Sequence, residues 1–111
     1  MMELTINDKT YTPSFGIGFV FKLNAGAGVS VNGVDMGMGL NKSLIGLRQY
    51  DPTVLSNVLY YAMVANGSHP TQKQLNDYLE SDADIEKLFD ETIKEMSESN
   101  VIKPALKNLK A

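Results

Sequence analysis

The sequence predicts an α+β fold, mainly helical, with an N-terminal β-hairpin, about four helices and a flexible C-terminal tail. Three observations lead there. Polar and apolar residues alternate only at the N-terminus; apolar residues recur at helical spacing over most of the remainder; and the last stretch is short, basic and interrupted by Pro104. One domain over residues 1–99 and a basic tail over 100–111 follow from this pattern.

Glu3-Leu4-Thr5-Ile6 alternates, Asn7-Asp8 offers a turn, and Lys9-Thr10-Tyr11-Thr12 returns, which reads as a hairpin. Pro13-Ser14 supplies a break and an N-cap. Phe15, Phe19 and Leu23 then recur at i, i+4 and i+8, one apolar stripe of a helix. Eight of the nine glycines fall between residues 16 and 46, so Ala25–Gly33 reads as a loop with room for a short strand at Val29–Val31. A helix resumes near Gly39 and runs to Gln49 with Leu40, Leu44 and Leu47 on one side. Asp51-Pro52 marks the next start, an acidic cap with proline at the first helical position.

From Pro52 to Asn66 the chain is apolar nearly all round, the signature of a central buried helix, and Gly67 closes it in a left-handed cap. Thr71-x-x-Gln74 has the spacing of a capping box before a short helix through Leu75, Tyr78 and Leu79. Asp82 is placed to cap the last long helix, striped by Ile85, Leu88, Phe89, Ile93 and Met96.

Composition narrows the function. At 111 residues, 43% hydrophobic and 21% charged, the chain has the size of one domain and too much apolar content for a disordered one. No cysteine is present, which removes disulfides and thiolate chemistry, and no apolar run approaches a membrane-spanning length or a signal peptide. Residues 77–98 carry nine acids against Lys87 and Lys94, while residues 99–111 carry three lysines and no acid. That pattern argues against a nucleic-acid groove, which needs clustered Lys and Arg.

No constellation for catalysis or metal binding emerges. His69, the one histidine, stands in a Gly-Ser-His-Pro turn without a placed partner. Asp82, Asp84 and Glu86 have the first spacings of a calcium loop, but Lys87 and Ile93 stand where its glycine and closing glutamate belong. Asn41-Lys42-Ser43 misses a phosphate loop because Asn41 and Met36 replace the required glycines, and Gly16-x-Gly18 lacks the third glycine of a dinucleotide fingerprint. What is left is interaction surface. Met36 and Met38 lie in glycine-rich sequence suited to adaptable apolar contacts, with gap-filling in the core as their ordinary use.

The ordered set Phe15-Gly16-Ile17-Gly18-Phe19, Met36-Gly37-Met38-Gly39-Leu40, Leu55-Ser56-Asn57-Val58-Leu59-Tyr60-Tyr61-Ala62, Pro70-Thr71 with Leu75 and Tyr78-Leu79, and Asp84–Glu91 resembles the tail assembly chaperones of long-tailed bacteriophages, in the group found in phages and prophages of Gram-positive bacteria. The resemblance runs from about Glu3 to Ser99. It implies a non-enzymatic protein without cofactors, acting in the bacterial host cytoplasm and absent from the mature virion. Its implied partner is the tape measure protein, which such chaperones keep soluble while the tail tube assembles.

In that family a longer frameshifted product contacts the major tail protein, and this chain resembles the short form. A homo-oligomer is compatible with the same reading. Phe15, Phe19, Met36 and Met38 are the residues put forward for partner binding. Two other roles stay open from the residues themselves: a structural head–tail or tail completion protein, and a small non-enzymatic regulatory adaptor.

Overall fold

A computed structural model describes residues 2–27, 30–31, 34–35, 39–81 and 83–110. Strands β1 (Leu4–Ile6) and β2 (Lys9–Tyr11) pair antiparallel, with Leu4 opposite Tyr11 and Ile6 opposite Lys9. Asn7 and Asp8 sit at φ 52° and 64°, the two left-handed positions that a two-residue hairpin turn requires. Leu4, Ile6 and Tyr11 are buried, so the hairpin is a lid on the helical core rather than a free ribbon. Just ahead of it, buried Met2 puts its sulfur 4.0 Å from the hydroxyl of Thr92.

Six helices follow among the described residues: α1 (Ile17–Ala27), α2 (Gly39–Arg48), α3 (Pro52–Ala65), α4 (Gln72–Ser81), α5 (Ile85–Glu98) and α6 (Lys103–Lys110). Between α1 and α2 stands a second antiparallel pair: β3 (Ser30–Val31), within the short strand expected at Val29–Val31, and β4 (Val34–Asp35), past the end of the Ala25–Gly33 loop. Val29, part of the strand expected there, lies outside the described residues.

α3 is the axis of the molecule. Its Leu55, Val58, Leu59, Ala62 and Met63 are fully buried, and α1, α2 and α4 pack around it. Its start is fixed as the sequence predicts: Asp51 is the N-cap, its carboxylate accepting from the Thr53 amide at 3.0 Å and hydroxyl at 2.7 Å, with Pro52 in the first turn. Those hydrogen bonds, the hydroxyl's first, hold the Asp51 carboxyl below its usual pKa. Gly67, at φ 93°, takes the left-handed position just past the helix. The capping box also forms, the Gln74 amide donating to Thr71 Oγ1 at 3.1 Å and the Thr71 amide to Gln74 Oε1 at 2.9 Å.

Two helix starts need correcting, the first being α1, which begins at Ile17 and so is not capped by Ser14. The N-cap of α5 is Asp84, whose Oδ1 accepts from the Lys87 amide at 3.3 Å, while Asp82 lies outside the described residues. Within the stretch read from sequence as a flexible basic tail, Lys103–Lys110 form α6, and Ile102 and Leu106 lie in the core. An eight-residue helix is too short to be stable alone. It forms because α2 and α5 offer a surface for those two side chains.

Candidate partner-binding surface

α1 has two apolar sides, and the fold uses one. Phe19 and Leu23 point inward and are fully buried; Phe15, half-buried, meets Phe19 edge-on with ring centroids 5.2 Å apart. Ser99 closes this corner by donating its hydroxyl to the Phe15 carbonyl at 2.6 Å. The other side carries Ile17 and Phe21, one helical turn apart and 61% and 71% exposed. They are the two most exposed of the large hydrophobic side chains described. Burying such a pair is worth about 1.5–3 kcal/mol per side chain. A partner gains that free energy; the folded monomer forgoes it.

The helix is held rigidly in that orientation. A Cβ on Gly39 would fall against the Leu23 carbonyl and the Asn24 Cα, so the α2 N-terminus rests directly on the α1 backbone. Asn24 Oδ1 then accepts from the Leu40 amide at 3.0 Å, a cap supplied to α2 by its neighbour. Gly26 lies against the Tyr61 hydroxyl, and Gly46 against Val54, so α1 and α2 are both drawn close to α3. Gly16 and Gly18 have open space around them, which leaves the Ile17–Phe21 strip unobstructed. Beside α1, α2 exposes Ile45, at 47%, between Lys42 and Arg48.

Of the residues put forward from sequence, Phe15 and Phe19 form one aromatic pair beneath this strip, and Met36 and Met38 lie outside the described residues. Ile17, Phe21 and Ile45 were missed. The signal was present: Ile17 and Phe21 also stand at i and i+4, a second apolar line on a helix already given one.

A groove on α3, α4 and the start of α5 is the other notable feature. A cavity of about 610 Å³ is lined by Pro52, Ser56, Asn76, Leu79 and Ile85 among others. Its polar floor is already used: Ser56 donates to Asn76 Oδ1 at 2.5 Å, and Gln72 Nε2 donates to Ser56 Oγ at 2.7 Å. Next to it, Tyr50 sits at φ 57°, edge-on to Phe89 at 5.1 Å, and donates its hydroxyl to Asp90 Oδ1 at 3.2 Å. That hydrogen bond, with the charge of Asp90, raises the Tyr50 pKa.

The histidine and the acids take ordinary positions. His69 Nδ1 bonds the Pro70 carbonyl oxygen at 2.8 Å, and its ring lies edge-on to Tyr60. Among the described residues no group of three His, Asp or Glu could hold a metal ion, and no helix is long and apolar enough to cross a membrane. What the arrangement presents to solvent is a helix with an aromatic and an aliphatic side chain held outward.

The model of the phage tail assembly chaperone protein family, TAC, matches residues 3–110, and the chain belongs to this family. The match takes in α6, beyond the Ser99 limit of the sequence resemblance. No curated protein and no solved structure matches the chain.

Proposed function

We propose that this protein is a tail assembly chaperone that binds the tape measure protein through the outward face of α1, keeps it soluble in the host cytoplasm, and leaves before the particle is complete. The observation that carries the proposal is the exposed Ile17–Phe21 pair on a helix locked from beneath, in a chain of the tail assembly chaperone family. A long helical client with apolar stripes aggregates unless they are covered, and a small rigid module can cover them repeatedly.

In this reading Phe15 and Phe19 act from below, fixing the angle at which Ile17 and Phe21 are presented, and the glycine-rich sequence of Met36 and Met38 suits them to adaptable contacts with the same partner. Recruitment of the major tail protein belongs to a longer frameshifted form. Nothing in the reading calls for enzymatic chemistry.

Co-expression with the tape measure protein tests it. The client is expected to become soluble and to co-purify with this chain. A client that stays insoluble beside a folded, soluble chain contradicts it.

A further inference from the structure

We infer that the segment held by the α1–α2 face is an apolar helical stripe flanked by carboxylates, and that this face discriminates against a cationic one. The inference rests on the reading of α1 as the client surface and adds the chemistry of what that surface takes.

Neither α1 nor α2 contains an aspartate or a glutamate. Side chains three and four positions apart are neighbours on a helix. Ile17, Phe21 and Ala25 therefore form one exposed strip, with exposed Lys22 along its edge; on α2, exposed Lys42, Ile45 and Arg48 succeed one another at three-residue steps. Among the described residues none of these three cations forms an ion pair, whereas Lys73 pairs with Asp77 and Lys87 with Glu91 on the helices that carry the acids. The nearest following acid, Asp51, is occupied in capping α3.

An apolar strip whose charged neighbours on α1 and α2 are all cations defines its complement. Carboxylates on the partner gain attraction at Lys22, Lys42 and Arg48, and the lysine stems extend the apolar contact while their ammonium groups stay wet. A partner edged by lysine meets like charge there. The same acid-flanked partner is repelled by α4 and α5, where Asp77, Glu80, Glu86, Asp90 and Glu91 lie, so charge also directs it to α1 and α2.

The test uses the full chain and two synthetic helical peptides with the same leucine stripe, one flanked by glutamate and the other by lysine. Affinity is read by fluorescence anisotropy, and the contact surface by amide chemical-shift mapping. The glutamate peptide is expected to bind roughly threefold to tenfold tighter at low salt, as three exposed charge contacts allow. Its shifts are expected on α1 and α2, and its advantage to shrink as salt rises.

The double variant Lys22→Glu/Lys42→Glu, both positions being exposed, is expected to keep its fold by circular dichroism and to invert the preference. Equal affinities, or a preference for the lysine peptide, overturn the inference; if Phe21→Asp still abolishes that binding, the α1 client surface itself stands. Failure of both peptides to shift α1 overturns the client surface and the inference together.

Discussion

Gly39 stands directly against the backbone of Leu23, where a Cβ would meet the Leu23 carbonyl and the Asn24 Cα. The crossing of α1 and α2 is therefore set by backbone contact, not by side-chain packing, and it decides which side of α1 faces out. Helix propensity and packing pull in opposite directions here: alanine is favoured over glycine in a helix by up to about 1 kcal/mol. Gly39→Ala is nevertheless expected to destabilise by about 1–3 kcal/mol, because the obstructing atoms are backbone. Gly18→Ala, in open space, is expected to be neutral or stabilising by up to about 1 kcal/mol. Urea unfolding of the two variants checks the opposite signs.

Adjacent positions of α1 should separate folding from binding. Phe19→Ala removes a fully buried ring and is expected to cost about 3–5 kcal/mol. Phe21→Asp, two residues on and exposed, is expected to shift stability by no more than about 0.5 kcal/mol while abolishing client co-purification. Thermal melts and pull-downs on the same two proteins read both effects.

α6 gives a third expectation. Ile102→Ala and Leu106→Ala should each destabilise by about 2–5 kcal/mol, since both side chains lie in the core. Lys107→Ala, exposed on the same helix, should be nearly silent. A flexible tail would make all three silent in urea unfolding.

The Asp51 cap makes part of the stability depend on pH. Its folded pKa is lowered, chiefly by the Thr53 hydroxyl, so its contribution is complete above the ordinary aspartate pKa. It is lost as pH falls through the lowered folded value. The stability difference between wild type and Asp51→Ala should therefore be largest near neutrality and narrow below the ordinary carboxylate range. Asp51→Asn keeps a capping oxygen but should lose the pH dependence. Urea midpoints measured across that range check the direction.

Local signals were legible in the sequence because each is completed within a few residues. Asn7-Asp8 makes its turn with its own backbone; Asp51, Thr71 and Gln74 find their partners within three residues; Gly67 needs only its own φ. α6 was not legible, because Ile102 and Leu106 take on meaning only from the α2 and α5 surfaces they cover. The same holds for the binding surface. Phe15-Phe19-Leu23 and Ile17-Phe21 both have helical spacing, and only the seating of Gly39 on Leu23 and of Gly26 on Tyr61 decides which line is buried. Asp84 rather than Asp82 caps α5 for a related reason: both fit the composition of a cap, and the helix begins where the Ile85–Leu88–Phe89 stripe meets the core.

In the proposed function the outward face of α1 holds the tape measure protein. Placing the photo-reactive residue p-benzoylphenylalanine at position 21, co-expressing with the client and irradiating the cells tests it most directly. A covalent adduct between this chain and the tape measure protein is expected, absent when the same residue is placed at exposed Lys94 on α5. An adduct from position 94 and none from position 21 would contradict it.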